Sequence, residues 1–271
     1  MPFCDVKYHD YHRINDYFSQ MISSISYEGK TLKVDLSKPI DVSIPLRADH
    51  HNPTAWYVDP PRIKAVRTEA FTGSVAEGGS VNFRDIYFNP HGHGTHTECV
   101  GHIAPEVYSI NQHLKQFFFW SELVSIRPER LENEDQIITA AQVEKAIQHN
   151  SPELKALLIR TLPNSDDKLS RQYSDSNPPY LSQEAMQLIV DAGIEHLLLD
   201  LPSVDREVDG GKLAAHHTFW EFPEKMMLHK SITEMIYVPS EVPDGLYLLN
   251  LQFAPFENDA SPSKPILYST F

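Results

Sequence analysis

Apolar and polar positions along the chain follow mainly the two-residue period of extended strands. Residues 31–36 alternate and predict a strand, and residues 39–46 predict a second extended segment. Apolar runs at 116–126, 156–161, 194–200, 232–238 and 245–251 predict core strands, with a closing strand at 266–268. Weaker alternation over 63–88 predicts strands that end at Phe88 and lead into the segment 89–102.

Helices are predicted in four segments of the chain. Four apolar residues between 18 and 25 are spaced i, i+3, i+4 and i+7, which predicts a helix over about 14–25. Residues 106–114 predict a short helix. Thr139-x-x-Gln142 is a capping box and predicts a helix to about residue 149, and residues 182–191 predict a helix that ends at Gly193. Strand 156–161, this last helix and strand 194–200 predict a right-handed βαβ unit, so we expect an α/β fold.

Composition limits the class of protein. The 271 residues are 41% hydrophobic and 22% charged, which is typical of a soluble globular protein. The net charge of −14 argues against a nucleic-acid or anionic-membrane partner, since both require basic surfaces. Two cysteines, Cys4 and Cys99, exclude a disulfide scaffold and favour a reducing compartment.

Targeting signals are not evident in the sequence. Residues 1–7 lack the basic and then apolar pattern of a signal peptide, and no apolar run approaches the ~18 residues of a membrane span. We therefore expect a cytoplasmic protein that folds as a single domain over residues 1–271.

The segment 89–102 concentrates the groups that bind metals. It contains four of the fourteen histidines, His91, His93, His96 and His102, together with Glu98. Imidazole and carboxylate are common ligands of divalent metals such as zinc. In an extended segment His96 and Glu98 point to the same side, and a carboxylate can bridge two metals. A histidine-rich surface loop is the alternative interpretation, and Cys99 is expected to be a small buried residue.

The segment Gly94-Thr95-His96-x-Glu98-x-x-x-His102 resembles the motif His-x-Gly-Thr-His-x-Asp-x-Pro-x-His of the cyclase family of metal-dependent hydrolases, which includes bacterial kynurenine formamidase. The motif's first histidine falls at Gly92, its proline falls at Val100, and Glu98 replaces aspartate. The resemblance implies that His91, or alternatively His93, supplies the first ligand. It also implies a single domain with a mixed β-sheet core and flanking helices, the swivelling β/α/β fold of that family.

Two later segments extend the resemblance. Residues 200–205 are similar to the family's Asp-x-Pro-Ser-x-Asp segment, and the residues that follow place the catalytic histidine at His216, with His217 as the alternative. Residues 232–236 are similar to the family's Ile-x-Glu-Asn-Leu strand, which implies that Glu234 is a metal ligand and that Met235 replaces asparagine. A buried carboxylate in an apolar run also requires a partner or a metal.

The resemblance implies two metal positions, one held by His91 (or His93), His96 and Glu98 and the other by Glu98, His102 and Glu234. One or two Zn²⁺ ions are expected, with Mn²⁺ as the alternative. In the family the loop corresponding to 47–63 lines the substrate pocket, so Trp56 is the candidate to stack on a flat substrate, or else it packs in the core. His50 and His51 in this loop are not expected to be ligands.

The expected activity is hydrolysis of a small-molecule amide or formamide by a metal-activated water, similar to arylformamidase acting on N-formylkynurenine, with His216 as the general acid. The alternatives are a cyclase-family hydrolase of another amide, an ester or a lactone, and a non-catalytic metal-binding protein. The resemblance also implies a homo-oligomer.

Overall fold

The computed structural model describes residues 20–271, in which strands outnumber helices. The strands, numbered in chain order, are β1 (Ile22–Tyr27), β2 (Lys30–Asp35), β3 (Ile40–Asp41), β4 (Arg62–Ala65), β5 (Arg84–Tyr87), β6 (His96–Glu98), β7 (Phe118–Ile126), β8 (Glu129–Arg130), β9 (Gln136–Ile138), β10 (Leu154–Thr161), β11 (Tyr180–Leu181), β12 (His196–Leu199), β13 (Ser231–Glu234), β14 (Gly245–Phe253) and β15 (Ala260–Ser269). The α-helices are α1 (Ile110–His113), α2 (Ala140–Ala146), α3 (Gln183–Asp191) and α4 (Ala214–Trp220).

Seven strands close into a mixed barrel. Their order is β14-β7-β10-β12-β13-β6-β15, the pairing of β14 with β15 closes the ring, and β3 adds to β15. The segment β7-β10-β12-β13 is parallel, and the other pairings in the ring are antiparallel. The expected α/β fold with a mixed sheet and flanking helices is thus confirmed.

The parallel strands are buried on both faces, which explains why their sequences are continuously apolar. Leu157 and Ile159 of β10 pack in one core cluster with residues of α2 and α3, on the helix side of the sheet. Ala156 and Leu158 belong to a second cluster, which includes residues of β14 and β15 on the inside of the barrel. The predicted βαβ unit is confirmed, because β10 and β12 are parallel and α3 lies between them in the chain.

Helix caps follow the sequence signals. Thr139 forms the predicted capping box with Gln142 at the start of α2. The Ser182 hydroxyl accepts a hydrogen bond from the amide of Ala185 and caps α3. Because these caps satisfy free amides at the helix starts, they define where both helices begin on the barrel.

The prediction of a helix over 14–25 is wrong where the structure can test it. Residues 1–19 lie outside the described part of the chain, but Ile22–Tyr27 is a strand that pairs with β2. Glu28 and Gly29 connect the two strands, both with positive φ (50° and 71°). This is the backbone twist that favours a two-residue hairpin, so hairpin pairing overrides the helical spacing.

Two other predicted elements are shorter than expected. The helix predicted over 106–114 is limited to α1, and in the segment 39–46 only Ile40–Asp41 pairs in the sheet. Within residues 20–271, no helix has both the length and the apolar character needed to cross a membrane.

Candidate metal centre

Strand β6 carries the centre of the site. It pairs with β13 on one side and β15 on the other, and this register places His96 opposite Glu234. His96 and Glu98 share one face of the strand, as the two-residue period requires, while Thr97 on the other face lies 2.8 Å from the Thr233 hydroxyl. Sheet pairing therefore brings together ligands that are far apart in the sequence.

The His96 imidazole is oriented with a free nitrogen in the interior. Its Nδ1 lies 2.9 Å from the carbonyl oxygen of Gly94, so Nδ1 carries the proton and Nε2 has the lone pair. Among residues 20–271, Nε2 is buried without a hydrogen-bond partner, 3.5 Å from Glu234 Oε2 and 3.9 Å from Glu98 Oε2. A buried acceptor that faces two carboxylates is unfavourable unless a cation lies between them.

The His91 and His102 imidazoles form a second group around Glu98. Their rings stack with centroids 4.2 Å apart. His91 Nδ1 lies 3.0 Å and His102 Nε2 lies 4.0 Å from Glu98 Oε2. This carboxylate oxygen is buried, and His91 Nδ1 is the imidazole nitrogen nearest to it in the described residues.

The structure thus places the other four candidate ligands around Glu98, but not in the expected combinations. The residues whose ligand atoms lie within 4.8 Å of one another form the group His91, Glu98 and His102 and the group His96, Glu98 and Glu234. The reason is the register, because Glu234 faces His96 across the β13–β6 pair whereas His102 stacks on His91. Glu98 is common to both groups, as a bridging carboxylate would be.

His91, and not His93, points into this cluster. His93 Nδ1 accepts a hydrogen bond from the Asn89 amide at 2.7 Å, and Nε2 lies 2.8 Å from the carbonyl oxygen of Asp59. Both ring nitrogens of His93 are therefore used to hold the loop. At Gly92 a Cβ would lie 2.6 Å from Val58 Cγ2, so position 92 has no room for a side chain.

Thr95, the residue before His96, is held in place by hydrogen bonds of its hydroxyl group. Its Oγ1 accepts a hydrogen bond from the Ile44 amide at 2.8 Å and donates one to the carbonyl oxygen of Met235. Three segments of the chain meet at this hydroxyl. Met235 has a φ of 52°, a left-handed conformation that asparagine adopts more easily than methionine.

His216 faces Glu98 from α4. Its Nε2 lies 3.2 Å from Glu98 Oε1, and its Nδ1 lies 2.6 Å from Asp205 Oδ2. Asp205 also accepts hydrogen bonds from the backbone amides of Ala215 and His216, which hold the carboxylate at the start of the helix. His217 is directed elsewhere, with Nδ1 3.3 Å from the carbonyl oxygen of Phe222.

The charged groups of the cluster shift one another's pKa values. Burial alone would lower the pKa of His216, but the carboxylates of Asp205 and Glu98 outweigh burial and raise it to about 10. In the same way Asp259 and Glu98 outweigh burial and raise the pKa of His91 to about 10. Burial and the nearby Glu98 charge raise the pKa of Glu234. Protons on these groups thus compensate the charge of the buried carboxylates.

A cavity of about 370 Å³ opens onto the cluster. Its lining includes His91, His102, His216, Glu234 and Trp56. Trp56 has a φ of 61° and packs beside a small buried group of Ala55, Tyr173 and Met235. The cavity has the size that binds a compact small molecule.

Asp205 and Asp259 both contact histidines of the cluster, although neither was among the site residues predicted from the sequence. The Asp-x-Pro-Ser-x-Asp segment could have indicated Asp205, while Asp259 lies before the last strand in a segment without a recognisable motif. His50 and His51 are exposed and lie outside the cluster, as expected. Cys99 is fully buried, also as expected.

The residues present fit a divalent metal. His96 Nε2 is buried without a hydrogen-bond partner in the described part of the chain, and it lies within ion-pair distance of Glu98 Oε2 and Glu234 Oε2. The donor set of imidazole nitrogens and carboxylate oxygens suits zinc or manganese.

The sequence matches a known protein family over a region that includes the segment 91–102. The family model described as putative cyclase matches residues 34–206, more than half of the chain. The match includes the segment 91–102 and ends before His216 and Glu234. No curated protein matches the sequence.

Solved structures share the fold at low sequence identity. A predicted metal-dependent hydrolase from Bacillus stearothermophilus has 17% identity and a TM-score of 0.59, with 85% of this chain and 98% of that chain covered. Isatin hydrolase A from Ralstonia solanacearum has 14% identity and a TM-score of 0.60, with coverages of 85% and 91%. Isatin hydrolase A from Labrenzia aggregata has 15% identity and a TM-score of 0.55, with coverages of 86% and 94%. At these identities the likeness shows the fold alone.

Proposed function

The chain belongs to the cyclase family, and from this premise we propose that it is a metal-dependent hydrolase that cleaves the C–N bond of a small amide or formamide. The observation that supports the proposal most directly is His96 Nε2, which is buried between Glu234 Oε2 and Glu98 Oε2 and has no hydrogen-bond partner within residues 20–271. In a protein interior, a buried polar atom is normally hydrogen-bonded.

His91, His96, Glu98, His102 and Glu234 would hold the metal, with Glu98 common to both groups. When bound, a divalent metal lowers the pKa of water towards about 7 and polarises a carbonyl oxygen. Zinc is our first choice and manganese our second, because the donor set accommodates either ion.

His216 is the proposed general acid. Asp205 accepts a hydrogen bond from Nδ1, which fixes the ring and leaves Nε2 directed towards Glu98 and the cavity. In hydrolysis the water oxygen bonds to the carbonyl carbon, the C–N bond breaks, and the proton at His216 Nε2 passes to the leaving nitrogen. The products are a carboxylic acid and an amine.

The cavity supports a compact substrate with a flat group. Trp56 lines the cavity together with three imidazoles, and its flat ring suits stacking on an aromatic group. An arylformamide such as N-formylkynurenine is therefore the substrate class that we propose first. A cyclic amide, an ester or a lactone would use the same polarised carbonyl, and hydrolysis of these classes is the second candidate.

The test compares metal-loaded protein with chelator-treated protein on three compounds: formanilide, isatin and the lactone dihydrocoumarin. Isatin is included because isatin hydrolases share this fold. Hydrolysis of formanilide by the loaded protein alone is the expected result. Hydrolysis of dihydrocoumarin without either amide would favour the ester and lactone alternative. Metal binding without any hydrolysis would favour a non-catalytic metal-binding protein.

The assembly of the protein is a separate proposal. A homo-oligomer is expected from the family resemblance, and light scattering coupled to gel filtration measures the mass directly. A mass of about 31 kDa, that of one chain, would contradict it.

A further inference from the structure

Asp259 lies on the far side of the stacked His91 and His102 imidazoles from Glu98. Its Oδ2 is 2.8 Å from His91 Nε2 and 3.6 Å from His102 Nδ1. The opposite nitrogens of the two rings, His91 Nδ1 and His102 Nε2, are the atoms that approach Glu98 Oε2. Each ring therefore lies between the same two carboxylates.

The backbone fixes Asp259 in this place. Its carbonyl oxygen accepts a hydrogen bond from the Cys99 amide at 3.0 Å, and the next residue, Ala260, pairs with Glu98 in the sheet. Gly101 makes the approach possible, because a Cβ there would lie 2.3 Å from the Tyr108 carbonyl oxygen and 3.2 Å from Asp259 Cβ. The sheet register that positions Glu98 thus also positions Asp259.

From this geometry we propose that Asp259 is a positioning residue, which holds His91 and His102 with their other nitrogens directed at a metal beside Glu98. A carboxylate that accepts the distal N–H of a ligating imidazole fixes its tautomer and its orientation, and makes the ligand more basic. Asp259 Oδ2 is hydrogen-bonded to His91 and lies within ion-pair distance of His102. The inference rests on the proposed function, since it concerns the same metal.

The two groups of candidate ligands differ in what orients their imidazoles. His96 is hydrogen-bonded to the backbone carbonyl oxygen of Gly94, whereas His91 is hydrogen-bonded to Asp259, and His102, stacked on His91, lies within ion-pair distance of the same carboxylate. Loss of the Asp259 carboxylate should therefore weaken the group of His91, Glu98 and His102 and leave the group of His96, Glu98 and Glu234 intact.

The experiment measures Zn²⁺ affinity by chelator competition and the visible spectrum of the Co²⁺-loaded protein for wild type, Asp259→Ala, Asp259→Asn and Glu257→Gln. Glu257 is the matched control, because it lies in the same loop and accepts hydrogen bonds from Asn111 and Gln112 without contact to the imidazoles. The melting temperature of each metal-free protein is measured in parallel.

We expect Asp259→Ala to weaken binding of one Zn²⁺ by roughly 10–100-fold and to alter the Co²⁺ spectrum. Asp259→Asn should fall between Asp259→Ala and wild type, because the amide oxygen can still accept a hydrogen bond. Glu257→Gln should match wild type, and the metal-free melting temperatures of the Asp259 variants should not explain the loss.

Wild-type affinity in Asp259→Ala would overturn the inference while leaving the proposed hydrolase intact. An equal loss of affinity in Glu257→Gln, together with lower melting temperatures, would also overturn it, because Asp259 would then act only through the loop. If wild-type protein bound no metal, the proposed function and the inference would both be wrong. Metal binding without hydrolysis would contradict the proposed function alone.

Discussion

His96 Nε2 lies 3.5 Å from Glu234 Oε2, although the βαβ unit formed by β10, α3 and β12 lies between the two residues in the chain. Their contact follows from the pairing of β6 with β13, where they are direct partners. The proposed metal therefore depends on barrel assembly as well as on the local segment 91–102.

His96→Ala should abolish or strongly reduce metal binding, because it removes a ligand nitrogen and leaves two buried carboxylates facing each other. Elemental analysis of protein purified without added metal measures this directly. His51→Ala is the control, since His51 is exposed and outside the cluster. Equal metal content in wild type and His96→Ala would contradict the proposed role of His96.

His216→Ala should retain metal but lose turnover by roughly 10²–10⁴-fold, because it removes the proton donor and no proposed ligand. The measurements are kcat on formanilide and metal content of the same sample. His217→Ala is a neighbouring control whose imidazole points away from the cluster. Full turnover in His216→Ala would show that another group protonates the leaving nitrogen.

Trp56→Ala should raise KM on an aromatic formamide by roughly tenfold and change kcat little, because a stacking wall binds ground state and transition state alike. Tyr57→Phe, at the exposed neighbouring position, should leave both constants unchanged. If Trp56→Ala left KM unchanged, Trp56 would be a packing residue in the loop and not a substrate contact.

Gly92→Ala should destabilise the fold by roughly 1–3 kcal/mol, because the added methyl group would overlap Val58. Val58→Ala in the same chain should restore part of this loss by creating space. Urea unfolding of the two single variants and the double variant measures the coupling. Strictly additive losses would show that the Val58 side chain does not limit position 92.

Burial lowers the pKa of His196 to about 3, and the nearby His229 and Lys155 act in the same direction. An unfolded histidine titrates near about 6.5, so between these values the unfolded chain binds more protons and stability falls as the pH falls. Between pH 7 and pH 5 wild type should lose about 2 kcal/mol more than His196→Gln, which cannot titrate. Equal losses in urea unfolding would contradict a neutral buried His196.

The local part of the site could be predicted because its groups are close in sequence. His96, Glu98 and His102 have fixed spacing, and alternation places the first two on one face of a strand. The choice between His91 and His93 could not be made from spacing, because the chain bends at Pro90–Gly94. It depends on partners of His93 at Asn89 and Asp59, one of which is 34 positions away.

Long-range pairing explains what the sequence did not show. Asp259 reaches the cluster only because β15 pairs with β6, and an aspartate before a strand has no distinctive local signal. At the N-terminal end, apolar spacing between residues 18 and 25 favoured a helix over 14–25. The structure instead pairs Ile22–Tyr27 with β2 through a turn at Glu28 and Gly29, where the glycine was the local signal for a hairpin.

The ribbon of β4 and β5 has a practical consequence. Arg62 pairs with Tyr87 at the end of the ribbon next to the segment 89–102, and Val75, Val81 and Phe83 in the connection between the two strands are exposed. The connection therefore presents side chains to solvent that take no part in the proposed site. The turn around residues 75–79 offers an attachment point for a fluorescent label or affinity tag, so that metal exchange could be followed without altering a ligand.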